Sequence, residues 1–310
     1  MSKKVLLATE KPFAASARDK IVEVFKKANY DVVVLESYTN KQDLLKAVAD
    51  VDAMIVRSDI VDKEVLDAGK KLKLVVRAGA GYDNVDCAHA KSKGVDAMNT
   101  PGQNANAVAE LAVGMMVYAA RGMFNGKSGT ELHGKTVGIH AIGAVGTCVA
   151  RIAKGFGMTV LGQHRHFTAK EIAERGAQAV ATAEELYAKS QYVSVHVPLN
   201  ETTKGLIGKK LLMSMPKNAC LVNTARKEVI NEAELLEVFE ARSDFKYLTD
   251  VGIGEATGKV LKEKYPDRFF VTPKKMGAQT SEANVNAGLA AAHQIVGYFD
   301  RGERKFIVNA

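Results

Sequence analysis

Cysteine is scarce in this 310-residue sequence. The three present, Cys87, Cys148 and Cys220, are far apart, with no CxxC pair or Cys/His cluster. An odd and scattered set excludes a disulfide framework and offers no zinc-ligand spacing. It suits a reducing compartment, so a cytoplasmic location is expected. Proline is scarce too, with six residues, and no Pro-rich or low-complexity linker divides the chain. No apolar run reaches the roughly 18 residues of a membrane span, and MSKKVLLATE is too short in its apolar part for a secretory signal. No membrane partner is therefore expected. Charge of one sign is in excess, a formal +8, yet the basic residues are dispersed and the densest groups are pairs such as Lys209–Lys210 and Lys274–Lys275. Without a basic stripe, no nucleic-acid partner is expected. The excess suits a solvated surface or the attraction of small anionic, phosphorylated molecules.

What is present is a regular alternation. VLLAT, DVVVLE, AMIVRS, KLKLVVRAG and GVDAMNT read as strands, and SARDKIVEVFKKA and DLLKAVAD between them read as helices. Strands separated by helical stretches predict βαβ units and a parallel sheet. NANAVAELAVGMMVYAARGMF is apolar around most of its circumference, so it is expected to be buried on several sides. The alternation restarts with KTVGIHAI, a helix from about residue 144 to 156, and the strands MTVLGQH, YVSVHVP, ACLVNTA, KYLTDVG and RFFVTP. A long helix, EANVNAGLAAAHQIVGYFD, and a strand, KFIVNA, complete the reading. The expected fold class is α/β with two doubly wound parallel-sheet domains.

Four clusters carry chemistry. In TVGIHAIGAVGTCVARIAKGFGMTV a strand runs into a turn and then a helix. Gly143 lets a pyrophosphate approach the backbone, Gly146 lets the helix pack on the strand, and the helix start favours negative charge. Ala141 stands where the usual GxGxxG has its first glycine, so the pattern is AxGxxG. The next strand ends in His164–Arg165–His166, with no carboxylate to repel a 2′-phosphate. The cofactor is thus NAD or NADP, with NADP slightly favoured. VRSD and RAGAGYDNVD each follow a strand: Arg57 can fork onto a carboxylate or phosphate, and the N–H groups of Ala78–Gly81 can cradle a carboxylate. LVNTARKEVI delivers Arg226 to a strand end. VTPKKMGAQTSEAN places Lys274 and Lys275 between a strand and a helix. A lysine in such a crevice near an arginine is expected to lose proton affinity through desolvation and like charge.

In this order, with NTPGQNANAVAE and HVPLNETTKGLIG between them, the clusters resemble the D-isomer-specific 2-hydroxyacid dehydrogenases, from about residue 55 to 290. Within that family they look most like the short D-3-phosphoglycerate dehydrogenases of the lysine-containing type. The resemblance implies a flavodoxin-like substrate domain, 1–103 and 285–310, with a Rossmann cofactor domain, 104–284, inserted in it. It implies a homodimer built through the cofactor domains, and no serine-binding regulatory domain. Substrate contacts carry over to Arg57, Ser58, Gly79, Ala80, Gly81 and Asn104, with Lys11 a weaker candidate. Cofactor contacts carry over to Gly143, Ala144, Val145, His196, Pro198, Thr203, Thr224, Asp250 and Gly277, beside Gly146, His164 and Arg165 read from the turn and the strand end above.

For catalysis the resemblance implies Arg226, with Lys275 where the usual TPHxG has its histidine, and Glu255 in a segment, VGIGEATG, unlike the usual DVFxxEP. A lysine starts protonated and does not need a carboxylate to raise its pKa, as a histidine does. The implied activity is hydride transfer between D-3-phosphoglycerate and a nicotinamide cofactor, a step of serine biosynthesis. The alternatives are a glyoxylate or hydroxypyruvate reductase and, in a different class, a dinucleotide-sensing corepressor-like protein. No metal is expected. In either enzymatic reading the substrate is a small anionic 2-hydroxy or 2-oxo acid.

Overall fold

The computed structural model describes residues 2–310. The chain divides into two compact units, Met1–Asn104 with Thr280–Ala310, and Ala105–Gln279. In the first, β1 (Lys4–Thr9), α1 (Ala15–Lys27), β2 (Asp31–Glu36), α2 (Lys41–Val48), β3 (Ala53–Val56), α3 (Lys63–Ala68), β4 (Leu74–Arg77), α4 (Cys87–Ser92) and β5 (Asp96–Asn99) alternate. The second contains α5 (Ala105–Ala120), β6 (Thr136–His140), α6 (Ala144–Gly155), β7 (Thr159–Gln163), α7 (Ala169–Glu174), β8 (Gln178–Ala179) and α8 (Ala183–Lys189). It continues through β9 (Tyr192–Val195), α9 (Lys209–Ser214), β10 (Cys220–Asn223), α10 (Glu232–Ala241), β11 (Lys246–Thr249), α11 (Glu255–Lys264) and β12 (Phe269–Val271). The chain then returns to the first unit through α12 (Ser281–Arg301).

The first unit's sheet is five-stranded, in the order β2-β1-β3-β4-β5, and every pairing is parallel. Such a sheet buries both faces, so its inner strands read as continuous apolar runs: all four residues of β3 are buried. Phe13, Ile21 and Phe25 pack with Ala287, Ala291 and Ile295 of α12 on one face, and Leu44, Val48, Val65 and Leu66 fill the other. The small residues of α12 let α1 come close: a Cβ on Gly288 would stand 2.4 Å from Ile21 Cδ1. The order places the topological switch between β1 and β3. Ligands of open α/β sheets bind at such a switch, beyond the strands' C-terminal ends.

KFIVNA does not form a strand. It makes one antiparallel bridge, Met98 to Ile307. The reason lies in Asn309, whose side chain takes over the ladder: Oδ1 accepts from Ala97 N at 2.8 Å and Nδ2 donates to Val95 O at 2.9 Å. Three of the six-residue helices, α3, α4 and α7, carry no periodicity of their own. They are marked instead by their caps, Asp62, Asp86 and Thr168, each accepting from a backbone N–H.

The second unit's sheet is seven-stranded and parallel, in the order β12-β11-β10-β9-β6-β7-β8. Its switch falls between β6 and β9. Helix α5 is buried along Ala109, Ala112, Val113, Met115 and Met116, as its apolar circumference requires. It stops at Ala120, and Met123 and Phe124 then take left-handed φ values of 55° and 58°.

Candidate functional site

All strands of the second sheet run the same way, so the loops after β6, β7, β9, β10, β11 and β12 share one edge. That edge receives Ala141–Gly146, His164–Arg165, His196–Pro198, Thr224–Arg226, Asp250 and Lys274–Gly277. The sequence pattern alone places most of the cofactor candidates together.

The turn after β6 is built as the glycine spacing demands, with one departure. Ala141 holds φ at +70°, the left-handed region in which the usual glycine is strain-free. An L-residue there costs about 1–2 kcal/mol. Gly143 is the N-cap of α6, no side chain caps it, and a Cβ there would meet nothing within 4 Å. Gly146 does the opposite job: a Cβ would stand 2.8 Å from Ile139 Cγ2, so the glycine is what seats α6 on β6. With Ala144 exposed and Val145 half-buried, the first-turn N–H groups and helix dipole form an anion-favouring end.

After β7, His164 stacks on Phe167 with centroids 3.7 Å apart, and the Arg175 guanidinium lies 3.9 Å from the same ring. Exposed Arg165 donates from Nη1 to Thr202 Oγ1 at 3.2 Å. Burial, then the neighbouring His166 and Arg175 charges, lowers the His164 pKa. After β9, half-buried His196 has Nε2 2.9 Å from Ser194 Oγ, and buried His140 has Nδ1 3.2 Å from Tyr187 Oη. Desolvation pushes His196 down to about 3, with a smaller push from His140, and His140 down to about 4. Both are neutral rings at neutral pH. Exposed Pro198 is held by its carbonyl, which accepts from Thr203 Oγ1 at 2.6 Å.

The loops after β10, β11 and β12 hold the unfinished chemistry. Asp250 is 1% exposed. Its Oδ2 accepts from Gly277 N at 2.7 Å and Met276 N at 3.3 Å, whereas Oδ1 is buried without a hydrogen-bond partner among the described residues. Thr224 Oγ1 is buried and unpartnered in the same sense. Desolvation raises the Asp250 pKa against the opposing pull of these N–H groups and of Lys275. A buried acceptor lacking a donor is costly, so this edge is built for a ligand that supplies one. The amide N–H of a nicotinamide is such a donor. The open cap at Gly143 suits a pyrophosphate. The residues present therefore fit a nicotinamide dinucleotide.

Half-buried Arg226 follows β10 and donates from Nη1 to Ala225 O at 2.9 Å, while Asn223 Nδ2 donates to Arg226 O at 3.0 Å. Lys275 departs from the expectation of a desolvated ammonium: it is exposed, and its charge acts on the Asp250 carboxylate. Glu255 is exposed in the first turn of α11. The carboxylate that binds into this loop is Glu232, whose Oε1 accepts from Gly254 N at 2.9 Å.

The first unit's edge is densely bonded. Arg57, half-buried after β3, donates from Nη1 to Lys11 O at 2.8 Å and Pro12 O at 2.9 Å, and from Nη2 to Asn284 Oδ1 at 2.6 Å. Its guanidinium carbon lies 5.0 Å from the Phe13 ring centre. Burial lowers its pKa, though an arginine remains charged. Ser58 is exposed, and Lys11 contributes here through its carbonyl. Of the N–H groups at Ala78–Gly81, two are already used: Ala78 donates to Val56 O and Gly79 to Arg77 O. The cradle reduces to Ala80 and Gly81. Gly79 is favoured by its backbone, whose φ of 151° is a conformation that L side chains rarely adopt. Asn104, half-buried, directly precedes α5. Arg77, Asp59 and Asn284 were not singled out by the sequence reading. Arg77 and Asp59 lie inside the two strand-end clusters that drew attention to Arg57 and Gly79.

Comparison with known proteins identifies the family. Residues 107–274 match the family model of the D-isomer specific 2-hydroxyacid dehydrogenase, NAD binding domain. A D-3-phosphoglycerate dehydrogenase of Methanocaldococcus jannaschii is 35% identical over 278 residues, covering 82% of this chain and 51% of the relative. The chain thus spans about half the length of that relative. A hydroxypyruvate reductase of Thermotoga maritima is 34% identical over 281 residues, covering 86% of this chain and 90% of the relative. Among solved structures, an NAD+-bound 3-phosphoglycerate dehydrogenase of Entamoeba histolytica is 43% identical, with a TM-score of 0.90 over 100% of this chain and 99% of that one. The chain therefore belongs to the D-isomer specific 2-hydroxyacid dehydrogenases, and its second unit carries their NAD-binding domain.

Proposed function

We propose that the chain is a D-3-phosphoglycerate dehydrogenase, interconverting D-3-phosphoglycerate and 3-phosphohydroxypyruvate. A nicotinamide dinucleotide held at the second edge would supply the hydride acceptor for C2 in one direction and the hydride donor in the other. The observation that carries the reading is Arg57, held in place with two of its five N–H groups, Nε–H and one on Nη2, lacking a protein acceptor among the described residues. A prealigned guanidinium suits a substrate with an anionic group at each end. The name of the 43%-identical neighbour points the same way.

In this reading Asp250 Oδ1 and Thr224 Oγ1 receive the nicotinamide amide, and the α6 N-terminus at Gly143–Gly146 holds the pyrophosphate. His196, Pro198, Thr203 and Gly277 line the remainder. Arg226 holds the substrate carboxylate and polarises the C2 oxygen. Lys275 gives its proton to that oxygen during reduction and takes it back during oxidation. Glu255 is a minor participant, because a lysine does not need a carboxylate to stay protonated. Arg57, Ser58 and the Ala80 and Gly81 N–H groups take the anionic end of the substrate, with Asn104 beside them. The site accepts NADH and NADPH, with a slight preference for NADPH, because β7 ends in Arg165 and not in a carboxylate. The protein works as a cytoplasmic homodimer associating through α5 and the segment after it, where Phe124 is 68% exposed.

Initial rates with phosphohydroxypyruvate, hydroxypyruvate and glyoxylate, each with NADH and NADPH, test the proposal. Preference for the phosphorylated acid supports it. Preference for hydroxypyruvate favours the second reading, a hydroxypyruvate reductase, for which the near full-length Thermotoga maritima match speaks. Arg165→Ala should lower kcat/KM with NADPH and spare it with NADH, and sedimentation equilibrium reads the dimer.

A further inference from the structure

We infer that Asp59 and Asn284 are positioning residues that fix Arg57 before substrate arrives, so that its two remaining N–H groups are presented as a ready-made anion fork. The inference rests on the reading above that Arg57 receives the anionic end of the substrate.

Two independent sets of bonds define the arrangement. The first fixes the backbone. Asp59 is 1% exposed, and its carboxylate gathers three loops. Oδ1 accepts from Glu10 N, after β1, at 2.6 Å and from Tyr38 Oη, after β2, at 2.8 Å. Oδ2 accepts from Arg57 N, after β3, at 3.0 Å. The last residue of β4 and the loop after it tie the same loop from outside: Asn84 Nδ2 donates to Asp59 O at 2.6 Å, and Arg77 Nε donates to Arg57 O at 3.0 Å. Burial, together with the bond to Asp59, raises the Tyr38 pKa, so its hydroxyl remains a donor.

The second set fixes the guanidinium. The carbonyls of Lys11 and Pro12 occupy Nη1, and Asn284 occupies one hydrogen of Nη2. Asn284 is itself oriented, since its Nδ2 donates to Thr280 O at 2.9 Å in the first turn of α12. An arginine normally loses rotamer freedom when it grips an anion. Here that freedom is lost on folding, before the anion binds. What remains is a rigid donor edge of Nε–H and one Nη2–H, matched in number to two oxygens of a carboxylate or phosphate. The sequence places these residues 227 positions apart, and only the return of the chain through α12 joins them.

The test is steady-state kinetics with phosphohydroxypyruvate and NADH on the whole protein, with NADH affinity measured separately by fluorescence. Asn284→Leu and Asp59→Asn are each expected to raise the KM for phosphohydroxypyruvate about tenfold, the usual reach of a hydrogen bond to a charged group. Neither should change kcat or the NADH Kd by more than about twofold. Asn284→Gln keeps a neutral amide with both an acceptor and a donor and should reverse most of the KM rise of Asn284→Leu, a rescue that a merely structural role would not produce. If Asp59→Asn does not fold, Tyr38→Phe carries that arm with a rise of about threefold, set by losing one neutral donor. The inference is overturned if Arg57→Ala raises the KM while Asn284→Leu and the Asp59 or Tyr38 variant leave it alone, or if kcat falls with KM unmoved. If Arg57→Ala itself leaves the KM unmoved, the role of Arg57 as a substrate ligand falls, and the positioning role falls with it.

Discussion

The two sheets present the same kind of edge and finish it differently. At the first, the groups around Arg57 are satisfied by the protein itself: Arg57 gives three hydrogen bonds and the Asp59 carboxylate accepts three, although Thr9 Oγ1, Glu36 Oε1 and Thr100 Oγ1 at other strand ends are buried without a partner among the described residues. At the second, Asp250 Oδ1 and Thr224 Oγ1 are buried without a partner among the described residues, Ala141 sits in left-handed backbone, and a helix begins at an uncapped glycine. A densely bonded edge is rigid before its ligand binds. An edge with orphaned acceptors is completed by its ligand and is less comfortable without it. Around Arg57 the bonds are made in advance, whereas at Asp250 one carboxylate oxygen is left open.

That contrast can be broken by measurement. The largest effect belongs to Lys275→Ala, which should lower kcat roughly 10²–10⁴-fold, the usual worth of an acid–base group. Arg57→Ala should act on KM instead. A kcat loss from Lys274→Ala with Lys275→Ala silent would move the proton donor by one residue.

Acid should separate the units next. His140 and His196 are held neutral by burial, at about 4 and about 3, whereas an unfolded histidine titrates near about 6.5. Below that value the unfolded chain gains protons that the folded chain refuses. The stability these rings contribute is therefore complete above about pH 6.5 and declines as the pH falls towards their folded values. Each histidine is worth about 1.4 kcal/mol per pH unit inside that window. The first unit's histidines, His89 and His293, are not buried. Thermal melts between pH 7.5 and 5 should show the second unit weakening first, and equal weakening of both would count against the contrast.

Asp250→Asn should weaken NADH binding about tenfold through loss of a charged acceptor, read by fluorescence titration, and leave the substrate KM alone. The smallest effect is Ala141→Gly. It relieves left-handed strain and should stabilise by about 0.5–1 kcal/mol, seen as a raised Tm in calorimetry. A lowered Tm would mean that the alanine methyl is worth more in contacts than its backbone costs.

Much of this is legible in the sequence. Runs such as DVVVLE and AMIVRS have strand periodicity and length, and β2 covers the first of them residue for residue. Gly146 was readable because only one geometry explains a glycine three residues into a strand-to-helix turn. The limits were equally physical. Short helices carry no period, so α3, α4 and α7 needed their caps to be noticed. KFIVNA has strand composition, but a side-chain amide replaced its ladder. The desolvated lysine was inferred from neighbours in sequence, whereas exposure is set by the packing of a whole loop. Asn284 could not be read at all, because its partner is on the far side of the chain's longest excursion.

The Asn309 amide has one more consequence. By donating to Val95 O and accepting from Ala97 N it occupies the outer rim of β5. An open rim of this kind is a template for sheet-to-sheet aggregation. With the Val308 N–H, which donates to Ala97 O at 2.8 Å, the amide leaves these β5 groups no free partner for a strand of another molecule.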